Sequence, residues 1–315
     1  MNILVTGCAG FIGSHLCEKL LYANNNVYGI DIMNDYYDIN QKRNNLRILY
    51  KHINFKFRQD DIIYTDIIGE YHFDVVINLA AMAGVRYSIQ QPELYMKTNV
   101  EGHTHLLQQC VEHNVKLYLY ASSSSVYGSN EKVPFNENDA LSNIISPYAS
   151  SKRCCEIIAN MYSQLYDIKT VGFRFFTVYG PRGRPDMFPY IILSKMIKNE
   201  SFNKYGHGDT YRDYTYIDDI VDGIIKGISC NTHEKSEIYN LGNSDPVTIN
   251  DFISICEDIT KTKAIFNELP EQVGDVSKTF ADINKARTEL GYNPTTKLAV
   301  GLSKTFEWFK HSAQN

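Results

Sequence analysis

Asn2-Ile3-Leu4-Val5-Thr6-Gly7-Cys8-Ala9-Gly10-Phe11-Ile12-Gly13 opens the chain and decides its fold. The first five residues are a short apolar run of the kind that forms a buried parallel strand. Glycines at positions 7, 10 and 13 follow at once, and an apolar-periodic stretch then runs from Ser14 to Leu21. Strand, glycine turn and helix in this order mark a phosphate-binding turn. Gly7 permits the tight turn. Gly10 lets the backbone approach a pyrophosphate, and Gly13 allows close helix–strand packing. Free N–H groups and the positive end of the helix then face the phosphates.

Outward from this turn, Val27-Tyr28-Gly29-Ile30-Asp31 reads as the second strand, ending on a carboxylate. Asp31 accepts hydrogen bonds from both adenosine ribose hydroxyls and would repel a 2′-phosphate. No Arg or Lys lies between Asp31 and Lys42, which favours NAD over NADP. Asp61, after the strand Asn54–Arg58, stands where a carboxylate holds an adenine amino group or simply closes a turn. Further strand-like runs at 74–79, 116–121 and 170–176 alternate with helical ones at 92–113 and 147–166. The pattern predicts an α/β fold, a doubly wound parallel (Rossmann) sheet with right-handed crossovers. Past Tyr179 the regularity falls. Residues 1–178 are expected to bind the dinucleotide and 179–315 to form a smaller α/β substrate-binding lobe, with elements at about 213–237 returning to the first.

Two motifs fall where such a sheet places its chemistry, at the carboxyl ends of the strands. Pro147-Tyr148-Ala149-Ser150-Ser151-Lys152 puts Tyr148 and Lys152 four residues apart, on one face of a helix. An ammonium beside a phenol favours the phenolate, a general base able to take a proton from a sugar hydroxyl. Ser122-Ser123-Ser124-Ser125 leaves the fifth long strand. In an extended chain Ser123 and Ser125 point one way and Ser122 and Ser124 the other. A serine there either shares a hydrogen bond with the substrate hydroxyl or caps the strand end.

Composition narrows the partners. The chain has 315 residues, 43% of them hydrophobic and 21% charged, which suits one large or two modest globular domains. A net charge of −5 gives no reason to expect nucleic acid or an acidic membrane surface. Seven cysteines without a Cys-x-x-Cys spacing suggest a reducing, cytoplasmic setting. No metal is expected. No signal peptide is expected either, and no apolar run approaches the ~18 residues a membrane helix needs.

The motifs together resemble the extended short-chain dehydrogenase/reductase superfamily, and within it the UDP-glucuronate 4-epimerases. The resemblance rests on Thr6–Gly13, Asn34-Asp35-Tyr36-Tyr37-Asp38, Leu79-Ala80-Ala81, Ala83–Ser88, Ser122–Gly128, Tyr148–Lys152, Arg174–Pro181, Gly183-Arg184-Pro185-Asp186-Met187 and Arg212-Asp213-Tyr214. It implies tightly held NAD and a UDP-sugar substrate. Tyr148 would be the base, Lys152 would hold the nicotinamide ribose, and Ser123 by spacing, with Ser125 as rival, would complete the site. Phe11, Ile12, Ile62, Leu79, Ala80, Ala81, Asn99, Ser122, Phe175 and Val178 would join the cofactor site. Arg86, Thr177, Arg184, Arg212 and Asp275 would face the substrate, Arg212 at the phosphates and Asp275 at a uridine ribose hydroxyl. Relatives also suggest a homodimer through a four-helix bundle.

Three residues depart from the pattern: Met82 in place of glutamine, Cys8 in place of glycine, and Phe188 in place of a small residue. Related dehydratases carry Asp-Glu after the catalytic hydroxyl, where this chain has Ser124-Ser125. Neither serine is a general acid or base there, so dehydration is not expected. With glucuronate, the 4-keto intermediate is a β-keto acid that must not lose CO2. Arg184 suits the carboxylate, being a permanently charged planar fork. Arg182 competes for that role, and Asp186 competes for Arg184. Alternatives are a UDP-glucose or UDP-N-acetylglucosamine 4-epimerase, a 4-ketoreductase, or a non-catalytic NAD-binding protein.

Overall fold

The computed structural model describes residues 1–230, 234–270 and 278–312. Its strands in chain order are β1 (Asn2–Thr6), β2 (Asn26–Asp31), β3 (Phe55–Gln59), β4 (Val75–Asn78), β5 (Leu117–Ser123), β6 (Lys169–Phe175), β7 (Thr177–Tyr179), β8 (Phe202–Tyr205), β9 (Tyr211–Tyr216), β10 (Ser236–Leu241), β11 (Pro246–Thr248), β12 (Phe266–Leu269) and β13 (Lys278–Thr279). Seven of them form one sheet in the order β10-β6-β5-β4-β1-β2-β3, every pair parallel.

The chain winds outward from β1 through β2 to β3, then restarts at β4 on the other side and runs to β6. The reversal opens a crevice between the carboxyl ends of β1 and β4, where ligands of such sheets bind. Both sheet faces are covered, as an all-parallel sheet requires. Alternate residues of β1 enter opposite cores, Ile3 and Val5 one and Leu4 the other. Each such aliphatic side chain contributes about 1.5–3 kcal/mol on full burial. β10 completes the sheet from a part of the sequence far beyond its other strands. The rest of the later half forms smaller sheets: β9 between β11 and β13, with β7 also on β9, and β8 beside β12.

Two local expectations are corrected. The helical stretch predicted at 92–113 is not one regular helix: Met96–Glu101 widens into a π-helix between Pro92–Tyr95 and Gly102–Glu112. The serine run is not extended throughout, because β5 ends at Ser123 and Ser124–Tyr127 turn into a 3₁₀ helix.

Candidate active site

At the crevice, Gly7 has φ +67°, and a Cβ there would meet Ala80 N at 2.9 Å. A Cβ on Gly13 would lie 2.1 Å from Gly7 O, so only glycine lets the helix approach the turn. The helix Phe11–Tyr22 starts at Gly10 without a side-chain cap, which leaves the first amides, those of Phe11 and Ile12 among them, for a ligand. An open cradle with uncapped amides fits a dinucleotide pyrophosphate. Cys8 is fully buried, its Sγ filling the space that a Cβ on Gly29 would need, so the departure from glycine is taken up by the core.

The ribose corner holds a cation that lies beyond the span read as free of Arg and Lys. Lys42 returns on the helix Ile39–Leu49, placing Nζ 3.3 Å from Asp31 Oδ1 and 2.8 Å from Asn34 Oδ1. Asp31 also accepts from the amides of Met33 and Ala9. The Asp31 carboxylate, expected to meet a ribose diol, therefore lies beside a buried ammonium. Asp61 accepts from Ile63 N through Oδ1 and so closes its own turn. The Ile62 side chain is buried where it would abut a Cβ on Gly102.

Leu79, Ala80 and Ala81 leave β4 along the crevice, and Ala80 N donates to Thr6 Oγ1 at 3.0 Å. Asn99, expected to contact the cofactor, uses both of its amide protons within the protein. Oδ1 accepts from Met82 N at 2.7 Å, and Nδ2 donates to Met82 O and to Ser151 Oγ, both at 2.9 Å. The π-turn aims Asn99 inward, where it positions the loop after β4 against the helix Pro147–Leu165. Met82 is thereby buried with its sulfur 3.7 Å from Asn34 Nδ2.

That helix is capped by Ser146, whose side chain accepts from Ala149 N, and has Pro147 in its first turn. Tyr148 stands edge-on to Tyr95, ring centroids 6.1 Å apart. Lys152 is buried and donates from Nζ to Ala121 O at 2.9 Å. Beneath it, burial and the Lys152 charge push the His103 imidazole down to about 3, so it stays neutral. Ser125 Oγ lies 2.8 Å from Ser123 Oγ, which also accepts from Ser125 N at 3.2 Å. The two hydroxyls meet through the 3₁₀ turn and not through strand alternation.

Ser122 is turned away from this group, as strand alternation from Ser123 requires. Its hydroxyl donates to Glu156 Oε1 at 2.6 Å, and Glu156 is held bidentately by Arg174 at 2.8 and 2.9 Å. Burial raises the Glu156 carboxyl, but hydrogen bonds and charge from Arg174 hold it below the usual range.

On the substrate side, Arg184 engages Asp186 bidentately, at 3.0 and 2.5 Å, and lies over the Tyr36 ring. Burial opposes the cation, yet Asp186 first, then Tyr36 and Tyr148, raise the Arg184 guanidinium above its ordinary value. Tyr36 and Tyr95 hydroxyls both donate to Ala83 O, at 2.8 and 2.6 Å, closing an aromatic wall from Arg184 to Tyr148. Arg182 points elsewhere, to Glu18 at 2.7 Å and His15 at 3.3 Å, and does not compete for the sugar.

Arg86 stacks over Tyr205 at 5.2 Å, bridging the helix Val85–Gln90 and β8. Phe175 and Val178 are buried, Phe175 at the end of β6 and Val178 in β7, and half-buried Thr177 starts β7 in register with Tyr214 of β9. Phe188 packs on Phe202 and Phe252. Arg212 lies in β9, beside β13, and Asp275 lies outside the described residues.

Residues 4–305 match the family model described as GDP-mannose 4,6 dehydratase. The chain belongs to the NAD-dependent epimerase/dehydratase family. Within that family, UDP-glucuronate 4-epimerase 3 of Arabidopsis thaliana is 40% identical over 98% of this chain and 76% of its own length. The UDP-glucuronic acid 4-epimerase from Bacillus cereus, solved in complex with UDP-glucuronic acid and NAD, is 35% identical with a TM-score of 0.94, over 99% of this chain and 100% of that one. The UDP-glucose 4-epimerase of Thermotoga maritima with UDP-glucose is 30% identical with a TM-score of 0.90, over 99% and 100%.

Reading the sequence missed roles for Tyr36, Lys42, Tyr95 and Glu156 in this member of the family. For Glu156 a signal was present: it continues the Tyr148–Lys152 spacing by four more residues, onto the same helix face. Lys42 and Tyr95 carried none, because their partners are chosen by the tertiary fold.

Proposed function

We propose that this protein is an NAD-dependent UDP-sugar 4-epimerase that interconverts UDP-glucuronate and UDP-galacturonate. The observation that carries this reading is that the Ser123–Ser125 hydroxyl pair and Lys152 gather at the end of β5, while Arg184 lies over Tyr36 at one end of an aromatic wall whose other end, Tyr95, meets Tyr148. Residues 1–178 would hold the dinucleotide, through the glycine turn and Asp31, and 179–315 the UDP-sugar. NAD, when bound, supplies a reversible hydride acceptor for C4.

Tyr148 takes the O4 proton as general base and returns it after the keto sugar has turned. Lys152, anchored on Ala121 O, keeps positive charge beside that tyrosine. Ser123 and Ser125 hold O4 in line. Arg184 keeps the sugar carboxylate charged and out of alignment with the 4-ketone, which opposes loss of CO2. The positions after Ser123 hold no carboxylate to protonate a departing C6 oxygen, so dehydration is not proposed. Arg212 and Asp275 are the proposed UDP contacts.

A neutral-sugar 4-epimerase is the second reading, favoured by Asp186, which already occupies Arg184. We further propose a homodimer. Exposed Ile157, Met161 and Leu165 make an apolar stripe at four-residue spacing beside Leu94 and Met96, suited to a four-helix bundle with a second copy. The seven cysteines are free, in keeping with a cytoplasmic setting.

The test is proton NMR of purified protein with UDP-glucuronate, UDP-glucose or UDP-N-acetylglucosamine and no added dinucleotide. UDP-galacturonate should form from UDP-glucuronate and approach comparable amounts. Faster conversion of a neutral sugar would promote the second reading. A strict requirement for added NADH would replace epimerisation with net ketoreduction.

A further inference from the structure

We propose that Gln41 determines sugar specificity by latching the loop that aims Arg184. The proposal rests on the reading that Arg184 grips a sugar carboxylate.

The loop begins with a tight turn: Gly183 N donates to Gly180 O at 3.2 Å, with Pro181 second and Arg182 third. Arg182 has φ +62°. The third position of such a turn favours glycine, because a positive φ crowds a Cβ. An arginine persists there because Glu18 and His15, both on the helix Phe11–Tyr22, hold its side chain. The carbonyls of Arg182 and Gly183 are then taken by one group. Gln41 Nε2 lies 2.8 Å from Arg182 O and 2.8 Å from Gly183 O. An amide NH2 has two protons, and each is used on one of two consecutive peptides.

The next residue is Arg184. Upstream, its backbone is fixed by Gln41. Downstream, Asp186 Oδ2 lies 3.1 Å from the Tyr36 hydroxyl, whose single proton it shares with Ala83 O. Every one of these anchors outside the loop comes from the first 41 residues of the chain. Gln41 is half-buried in the first turn of the helix Ile39–Leu49, and its neighbour Lys42 is the cation on Asp31. One turn of helix thus holds the ribose carboxylate with one side chain and the Arg184 loop with the next. The two hydrogen bonds of Gln41 go to the Arg182 and Gly183 carbonyls and not to Tyr148, Lys152 or the serines. Loosening it should blur the position of the guanidinium while leaving the hydroxyl chemistry intact.

Two variants of the NAD-loaded protein test this. Gln41→Leu keeps the volume and removes both donors. Gln41→Glu sets a carboxylate against two carbonyls. Kd is measured by calorimetry for UDP-glucuronate and for UDP-glucose, and the UDP-pentose formed from UDP-glucuronate is followed by NMR. Gln41→Leu should weaken UDP-glucuronate by about 5- to 150-fold, the range expected for two lost hydrogen bonds, and UDP-glucose by less than about 2-fold. Gln41→Glu should be more selective still, and UDP-pentose should rise in both.

UDP-glucose binding serves as the internal check that the variants are folded. Equal weakening of the two ligands, or no weakening of either, overturns the latch. Arg184→Ala is run beside them. If it is selective against UDP-glucuronate and Gln41→Leu is not, the latch alone fails. If Arg184→Ala weakens both ligands equally, the carboxylate reading itself falls and the latch with it.

Discussion

Two of the three glycines of the opening turn, Gly10 and Gly13, should fail in different ways when each is given a methyl group. At Gly13 the added Cβ would sit 2.1 Å from Gly7 O, 2.9 Å from Gly7 C and 3.0 Å from Cys8 Cα. All three are backbone atoms of a turn pinned between β1 and the crevice, so no side chain can swing aside. Overpacking of this kind costs about 1–3 kcal/mol, and rigid backbone on every side argues for the upper end. Alanine recovers about 1 kcal/mol in helix propensity. The net loss is about 2 kcal/mol, which for 315 residues lowers Tm by about 3 °C.

At Gly10 a Cβ meets only Gly7 O at 3.2 Å and the end of the Tyr37 side chain at 3.9 Å. Its φ of −75° suits alanine. Gly10→Ala should therefore fold normally, and its methyl should intrude where the pyrophosphate approaches the amides. Losing one charge-assisted hydrogen bond, worth about 1.5–3 kcal/mol, weakens NAD by about 10- to 150-fold. The assay is thermal melting of cofactor-stripped protein, repeated over an NAD titration. Gly13→Ala should melt low from the start. Gly10→Ala should melt with the wild type when stripped and fall behind as NAD is added, because only the native state binds the ligand. Stripped Gly13→Ala melting with the wild type would refute the packing argument. A stripped Gly10→Ala that is already destabilised would refute the open cradle.

Tyr148→Phe should lower kcat by about 10²–10⁴-fold while UDP-sugar affinity, read by calorimetry, stays close to wild type; near-native kcat would mean the base is misassigned. Ser123→Ala should cost more kcat than Ser125→Ala. Ser123 Oγ accepts from both the N–H and the O–H of Ser125 and so keeps its own proton for the sugar; the reverse order would name Ser125. Stability should fall as pH drops from about 6.5 towards 3. The unfolded chain takes up protons there that His103 and His15, both held down to about 3 by burial first and then by the Lys152 and Arg182 charges, refuse. Urea midpoints at pH 7 and pH 5 should differ less in His103→Gln than in the wild type, and an unchanged difference would show that His103 does not contribute.

Much of this protein follows from short-range rules. An apolar five-residue run, three glycines at fixed spacing and a capped helix beginning Ser146-Pro147 each specify local backbone, and the alternation of strands and helices leaves a parallel sheet as the way to bury them. Tyr148 and Lys152 share a face because 3.6 residues make a turn. The choice of partners is another matter. Asp31 and Lys42 are 11 residues apart, and Gln41 reaches carbonyls 141 and 142 positions away. Asn99 turns to Met82 because a π-turn rotates it inward, and Ser122, whose direction strand alternation sets, finds Glu156 only because the helix Pro147–Leu165 packs on that face. Arg182 and Arg184, two residues apart, compete for one role in the sequence, yet a positive φ accompanies the turn of one to Glu18 while the other lies against Asp186 and Tyr36. Local sterics select the backbone wherever they act. A charged or amide side chain takes whichever complementary group the packed fold brings within about 3 Å, and that group is set only when distant segments meet.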